Sequence, residues 1–202
     1  MNIICTGQFD RQIYTVAEIG ISDVHLLAQY WETRTSIWTL KYPEIAGTDG
    51  LERDQFDHSS SFLVLIEGRT VVAGTRLIHA EDVGELPVGS CARVQLSGKA
   101  VEVSRFFFSP AVETEAMYAE QQFKLFIFGI VTYLKGQGYV RAYSVIRASL
   151  FKKLQGLDVP MISNGPTQRH GGKNFIPAIL FETGQEFVPA QKQSIAPEQL
   201  AA

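Results

Sequence analysis

The chain has 202 residues, of which 46% are hydrophobic and 19% charged, as is ordinary for a soluble globular domain with a substantial core. A net charge of −3 without any basic run excludes the usual pattern of a nucleic-acid-binding protein. The two cysteines, Cys5 and Cys91, form neither a disulfide framework nor a metal-ligand pattern, and they fit the reducing cytoplasm.

Neither a targeting segment nor a membrane span is predicted. Residues 1–9 are too short for a secretory signal peptide and lack its basic residues. The most apolar stretch, residues 123–134, includes Lys124 and is shorter than a membrane-crossing helix, so it predicts a buried helix. Because no linker precedes position 188, we predict one domain over residues 1–187 and a flexible tail over residues 188–202.

The first half of the chain predicts one helix followed by a β-hairpin. Ser22 is a suitable N-cap for a helix that ends near Leu40. Residues 41–61 are polar and include two glycines and a proline, which predicts a long loop of the kind that often carries function. Residues 61–66 and 71–78 are rich in apolar and β-branched side chains, and the four residues between them predict a hairpin.

The second half predicts strands that alternate with helices. The predicted elements are strands at 101–108, 139–146 and 175–183, a long helix at 113–135 ended by Gly136 and Gly138, and a short helix at 148–155 ended by Gly156. A strand–helix–strand unit implies a parallel crossover. The expected fold is therefore α/β (α+β), with a mixed central sheet flanked by helices, in the element order of the GNAT-like acyltransferases.

The predicted loop carries three carboxylates within six residues, Glu52, Asp54 and Asp57. Such a patch attracts a cation, although a solvated acidic loop is the simpler interpretation. A calcium-binding loop is disfavoured, because its Asp-x-Asp-x-Asp-Gly run and its bidentate Glu are missing. Arg76 lies inside an otherwise apolar strand and needs a carboxylate or water, and either the acidic loop or an outward-facing position provides it.

Two further pairs of residues are candidates for chemistry. Glu102 and Arg105 are three apart in a predicted strand, so they point to opposite faces unless a β-bulge brings them to one side. A buried Glu among apolar groups holds its proton more tightly, which suits a general base, and an ordinary ion pair is the alternative. Arg34 and Trp38 are four apart on one helix face, where they either pack together or hold a cationic substrate.

The segment between Glu120 and Asp158 has no acidic residue but six basic ones. In a chain of net charge −3, this cluster of basic residues has two interpretations. The residues either solvate a helix face or attract an acidic partner. The glycine-rich loop that cradles a pyrophosphate in GNAT enzymes is missing before the long helix, which disfavours coenzyme A as that partner. The basic residues are Lys124, Lys135, Arg141, Arg147, Lys152 and Lys153.

Four short motifs, taken in chain order, resemble those of the LuxI-type acyl-homoserine-lactone synthases. They are Arg34 with an aromatic residue four later, Glu52-x-Asp54-x-x-Asp57, Gly74-x-Arg76-Leu77, and Glu102-x-Ser104-Arg105-Phe106. The resemblance implies a GNAT-like fold and a two-step reaction. An acyl-carrier protein, or less often acyl-CoA, gives its acyl group to the amine of S-adenosylmethionine, and lactone closure then expels methylthioadenosine.

The resemblance also implies a role for each motif. Glu102 is the candidate general base, S-adenosylmethionine is a substrate and not a cofactor, and no metal is expected. The residues expected to bind S-adenosylmethionine are Arg34, Trp38, Glu52, Asp54, Asp57, Arg76 and Arg105. The expected acyl pocket includes Ser104, Phe106 and Ser144, and the expected docking surface for the carrier protein is Arg147, Lys152 and Lys153.

Two other functions stay open at this point. A GNAT-type N-acyltransferase could act on another amine, such as an amino acid. A catalytically silent protein could instead bind acyl chains or the carrier protein. Release of methylthioadenosine from S-adenosylmethionine separates the synthase from both alternatives, because only the synthase releases it.

Overall fold

A computed structural model describes the chain over residues 1–9, 11–40, 42, 50–92, 99–109, 116–159, 161–170 and 172–182. The helices are α1 (Val24–Thr39), α2 (Ala80–Val83), α3 (Ala116–Gly136) and α4 (Ala148–Gln155). The strands are β1 (Asn2–Phe9), β2 (Gln12–Ile19), β3 (Ser60–Glu67), β4 (Thr70–His79), β5 (Ala100–Phe108), β6 (Arg141–Arg147), β7 (Ile162–Ser163), β8 (Gln168–His170) and β9 (Lys173–Glu182). None of the described helices is long and apolar enough to cross a membrane.

The strands form one mixed sheet in the order β1-β2-β3-β4-β5-β6-β9-β7, and β8 pairs with the start of β9. From β1 to β5, each strand pairs antiparallel with the next. Strands β5 and β6, which α3 connects, are parallel, and this confirms the predicted crossover. Strands β6 and β9, which α4, β7 and β8 separate along the chain, are antiparallel, so the second predicted strand–helix–strand unit is not a parallel crossover. The mixed α/β architecture is therefore the predicted one.

The predicted hairpin β3–β4, the strands β5, β6 and β9, and the helices α3 and α4 are all present. The N-cap prediction is wrong by one residue: α1 begins after Asp23, whose carboxylate accepts the N–H of Gly20 at 3.0 Å. The hairpin β1–β2 was not predicted, because β1 is an edge strand that buries no side chain fully and lacks an apolar pattern. Residues 43–49 of the predicted loop and the predicted tail lie outside the described residues.

The sheet separates two helical layers, each of which buries apolar side chains against it. On one face, Tyr30 and Trp31 of α1 pack against Phe62 of β3. On the other face, α3 places Phe126 and Ile130 in the core, and α4 lies beside α3. Each fully buried side chain of this size stabilises the fold by roughly 1.5–3 kcal/mol. The central strands, covered on both faces, are thus a rigid support for the residues described below.

Gly129 of α3 is required by the close approach of this helix to β2. A Cβ atom at Gly129 would lie 2.6 Å from Cγ1 of Val16. We expect Gly129→Ala to lower the free energy of unfolding by about 1–3 kcal/mol, the usual cost of overpacking. Gly136→Ala, at the end of the same helix, is the matched control, because its Cβ would meet no atom within 4 Å. Urea denaturation compares the two variants, and equal stabilities would contradict the close packing.

Candidate functional site

A cleft opens where the parallel strands β5 and β6 diverge. The two strands pair over only three positions, which end at Glu102 and Tyr143. Beyond this pair they leave a cavity of about 230 Å³, called here the central cleft. The hydroxyl of Ser144 donates to the carbonyl of Val103 at 2.6 Å and bridges the two strands at its base. The predicted acyl-pocket residues Ser104, Phe106 and Ser144 all line this cleft.

An apolar recess of about 50 Å³ continues from the central cleft toward α3. The cleft and the recess share Val103, Phe106, Ser144, Ile146 and Leu150. The far wall of the recess comes from four apolar residues of α3, namely Ile127, Ile130, Val131 and Leu134. A charged group would lose its hydration here without compensation, so the recess suits only an apolar chain.

A second cavity, of about 290 Å³, lies beside the central cleft and is called here the aromatic cleft. Trp38 and Tyr42 stack in it with ring centroids 5.8 Å apart, and the His170 ring lies 5.7 Å from Tyr42. Trp38, Arg105 and Phe175 line both cavities, so ligands in the two cavities would meet at these side chains. The faces of aromatic rings attract cations, which makes this cleft suitable for a cationic or flat group.

Three arginines and three carboxylates form a closed ring of ion pairs next to the clefts. In order, Arg34 contacts Glu52, Glu52 contacts Arg105 at 2.8 Å, Arg105 contacts Asp54 at 3.1 Å, Asp54 contacts Arg76 at 2.5 Å, Arg76 contacts Asp57 at 2.8 Å, and Asp57 contacts Arg34 at 2.8 Å. Burial alone would raise the pKa of Asp57, but hydrogen bonds and charges from Arg34 and Arg76 outweigh it and lower that pKa. The ring joins α1, the acidic loop, β4 and β5.

This charge ring corrects the prediction that the acidic loop offers a negative patch to a cation. Each carboxylate already has two guanidinium partners, so the six charges sum to zero. Arg34 is 0% exposed and Glu52 1%, so both side chains are enclosed within the ring, and their predicted contact with a substrate stays a prediction. The accessible members are Asp54 and Arg105, whose side chains are 28% and 26% exposed. Arg34 and Glu52 contact Asp57 and Arg105, respectively, from the enclosed part of the ring.

Arg105 reaches the charge ring because β5 has a bulge at this point. Arg105 and Phe106 together lie opposite the single residue Thr75 of β4. The φ angle of Arg105 is 54°, which residues other than glycine seldom adopt. The bulge aims the guanidinium at the acidic loop, and its positive charge also offsets part of the rise that burial causes in the pKa of Glu102. Of the two arrangements that the sequence allowed for this strand, the bulged one is present.

Glu102 occupies the last paired position of β5, directly before Val103, which lines the central cleft, and is 5% exposed. Its carboxylate accepts the backbone N–H of Val88 at 2.7 Å, from the 3₁₀ turn Pro87–Ser90 that covers it. Burial raises the pKa of Glu102 to about 7, although Val88, Arg76 and Arg105 counteract part of the effect. A carboxyl group whose pKa lies near neutrality can take up a proton at working pH, as a general base must.

The three residues predicted to dock a carrier protein lie at the end of β6 and on α4, which follows it. Arg147 lines the cleft, and its guanidinium donates to the hydroxyl of Tyr42 at 3.3 Å. Lys152 and Lys153 are exposed on α4, and the Lys153 ammonium lies 4.0 Å from the ring centroid of Phe123. Arg147 thus lies at the cleft, and the two ammonium groups on α4 are accessible to a large partner.

Three site residues were not predicted from the sequence: Tyr42, His170 and Phe175. The N–H of Tyr42 donates to the carbonyl of Trp38 at 2.8 Å, so the helical spacing of α1 extends to it and could have identified it. His170 and Phe175 arrive on the hairpin β8–β9, whose distant partner no local pattern indicates. In the described ranges, no group of three or more His, Cys, Asp or Glu side chains could hold a metal ion.

The diverging parallel pair, with helices on both faces of a mixed sheet, is the fold of the GNAT-like acyltransferases. No family model and no curated protein sequence matches the chain. Solved structures do match, among them the CoA-dependent acyl-homoserine lactone synthase BjaI with SAM and isopentyl-CoA, at a TM-score of 0.67 and 16% identity over 82% of each chain.

Two other solved structures extend this likeness. The acyl-homoserine lactone synthase LasI matches with a TM-score of 0.59 and 15% identity over 84% of this chain and 90% of its own. FeeM, an N-acyl amino acid synthase from uncultured soil microbes, matches with a TM-score of 0.53 and 14% identity over 84% and 91%. At these identities the likeness establishes a common fold.

Proposed function

We propose that this protein is an acyl-homoserine-lactone synthase that uses an acyl-carrier protein as donor and S-adenosylmethionine as acceptor. The observation that carries the proposal is the meeting of two clefts at Trp38 and Arg105, with the buried Glu102 one residue before Val103, which lines the central cleft. The central cleft and its apolar recess suit an acyl chain on a thioester. The aromatic cleft suits the cationic acceptor. The free cysteines Cys5 and Cys91 fit a cytoplasmic location.

In the first step, the acceptor amine attacks the thioester carbonyl. Glu102, directly or through water, takes a proton from the amine as the new carbon–nitrogen bond forms. The carbon–sulfur bond of the thioester then breaks, and the carrier thiol leaves with a proton. The hydroxyl of Ser144 is committed to the Val103 carbonyl, so it shapes the acyl pocket without taking part in proton transfer.

In the second step, the acylated acceptor closes into a lactone. Its carboxylate oxygen bonds to its own γ-carbon, and the bond from that carbon to the sulfonium sulfur breaks. The electron pair goes to sulfur, and neutral methylthioadenosine leaves. Asp54 and Arg105 offer one carboxylate and one guanidinium side by side, which matches the ammonium and carboxylate of the methionyl group.

One assay tests the acceptor and the reaction together. The purified protein is mixed with S-adenosylmethionine and octanoyl-carrier protein, and both free thiol and methylthioadenosine are measured. The proposal requires equal amounts of the two products. Thiol release without methylthioadenosine, when S-adenosylmethionine is the sole amine, contradicts lactone formation. Absence of both products with any acyl donor supports the silent binding protein instead.

A second candidate is an N-acyltransferase that acts on a free amino acid. The neutral charge ring favours it, because the acidic loop retains no surplus negative charge for a sulfonium. The pair of Asp54 and Arg105 would hold the zwitterionic head of any α-amino acid equally well. Free thiol released with an amino acid, at a rate above that with S-adenosylmethionine, would favour this candidate.

The donor proposal predicts a charge effect on α4. We expect Lys152→Glu with Lys153→Glu to raise the KM for acyl-carrier protein, because both exposed ammonium groups would attract an acidic partner. The effect should shrink in high salt and leave acceptor binding unchanged. Arg69→Glu, in the exposed turn between β3 and β4, is the control for a charge reversal elsewhere. Acyl-CoA as the better donor, with no effect of the reversal, would contradict carrier-protein docking.

A further inference from the structure

A cavity of about 650 Å³ lies at the end of the sheet opposite to the central cleft, and is called here the polar cleft. It is bounded by the first residues of β3, the last residue of β4, and the C-terminal end of α3. Its wall includes Ser61, His79, Tyr139, Lys99, Glu81 and Asp82. None of these side chains takes part in the proposed acyl transfer.

Ser61 and His79 form a hydrogen-bonded pair within the polar cleft. The Oγ atom of Ser61 lies 3.0 Å from Nε2 of His79. The other ring nitrogen, Nδ1, is hydrogen-bonded to the hydroxyl of Tyr139, and the two rings stack with centroids 5.8 Å apart. The imidazole is thus held at both nitrogens, with a serine hydroxyl at one and an orienting group at the other. In the tautomer that carries its proton on Nδ1, Nε2 can accept the proton of Ser61, as activation of a serine nucleophile requires.

The surroundings of His79 suit a base that becomes charged only during a reaction. Burial lowers the pKa of His79, so the imidazole is neutral near pH 7 and can accept a proton from Ser61. Three nearby negative charges raise the pKa of His79 and would stabilise an imidazolium once it forms. They belong to Asp82, Glu81 and Glu18. The positive charge of Lys99 has the opposite effect and lowers the pKa of His79.

Tyr139 and Lys99 complete the polar cleft. Burial raises the pKa of Tyr139 to about 12, so its phenol is neutral at pH 7, and in the tautomer protonated on Nδ1 the His79 ring donates to the phenol oxygen. The Lys99 ammonium lies 4.6 Å from the centroid of the Tyr139 ring. It donates to the backbone carbonyl of Gln137 at 3.2 Å and supplies positive charge within the same cavity.

We propose that Ser61 and His79 are the nucleophile and base of a second catalytic site, which hydrolyses small activated esters. Oγ of Ser61 bonds to the ester carbonyl carbon as its proton moves to Nε2 of His79. The carbon–oxygen bond to the leaving alcohol breaks, and the alcohol takes that proton. Water then attacks the acyl-serine while His79 takes a proton from it, and Ser61 leaves with that proton as the acid is released.

The test uses the full-length protein, p-nitrophenyl acetate and a fluorophosphonate probe. We expect the protein to hydrolyse the ester and the probe to add covalently to Ser61, as peptide mass mapping would identify. Ser61→Ala and His79→Asn should each lower kcat by about 10²-fold or more. Ser36→Ala, which removes an exposed hydroxyl on α1, should leave the rate unchanged. Thermal unfolding checks that the variants are folded.

Two results would overturn the proposal. The first is hydrolysis by a folded Ser61→Ala protein at the rate of the unaltered chain. The second is a probe adduct on another residue, or no adduct at all. The labelling experiment uses the unaltered protein, so it tests whether Ser61 is the nucleophile even if a variant fails to fold. Neither arm involves the clefts of the proposed acyl transfer, so the two proposals succeed or fail separately.

Discussion

Glu102→Gln is expected to lower kcat for acyl transfer by about 10²–10⁴-fold in a protein that stays folded. The amide has the shape of the carboxyl group and can still accept the N–H of Val88, but it cannot take a proton from the acceptor amine. Steady-state thiol release with saturating donor and acceptor measures the effect. Near-normal turnover in the folded variant would show that Glu102 is not the base.

The raised pKa of Glu102 also sets a pH dependence with opposite signs for activity and stability. Only the ionised carboxylate can act as base, so kcat should rise as pH increases through about 7. A buried group with a raised pKa binds its proton more tightly in the folded state, so its contribution to stability is lost as pH rises through that pKa. With a folded value of about 7 and an ordinary value of 4.5, the loss is up to about 3 kcal/mol.

The glutamine variant separates these two effects. Its free energy of unfolding should change less between pH 5 and pH 8 than that of the unaltered protein, because residue 102 no longer ionises. Denaturation in urea at the two pH values measures this difference. Equal pH dependence in both proteins would mean that the carboxyl of Glu102 is not desolvated in solution.

Arg34→Met should lower the free energy of unfolding by about 3–5 kcal/mol, the largest stability effect expected here. The guanidinium is 0% exposed and contacts both Glu52 and Asp57. Its removal leaves the charge ring with one unbalanced negative charge in a site that is closed to water. Chemical denaturation followed by tryptophan fluorescence gives the value.

Two variants control this measurement. Arg69→Met removes an exposed arginine in a turn and should change stability by less than about 0.5 kcal/mol. Arg34→Met combined with Glu52→Gln should recover part of the loss, because the second change removes the unbalanced charge. A cost below about 1 kcal/mol for Arg34→Met, without recovery in the double variant, would contradict a closed ring of buried ion pairs.

The sequence by itself determined most of the fold. Runs of apolar and β-branched residues identified β3, β4 and β5, and the glycines after α3 and α4 identified where those helices end. The order of strand, helix and strand identified the parallel pair β5–β6, because a right-handed crossover constrains its geometry. The same order around α4 was misleading, since β7 and β8 intervene and β9 pairs antiparallel with β6. The edge strand β1 was not predicted from the sequence, since its side chains stay partly in water and its pairing depends on β2.

The sequence also contained the residues of the site, but only the tertiary structure decided what their charges do. The acidic loop and the three arginines come from separate elements, and no local pattern states that each carboxylate has two guanidinium partners. That pairing makes the ring neutral and encloses Arg34, so the accessible charges reduce to Asp54 and Arg105. The same holds for the aromatic cleft and the Ser61–His79 pair. Both depend on contacts between residues distant in the chain, and long-range contacts of this kind arise from packing, which local sequence does not encode.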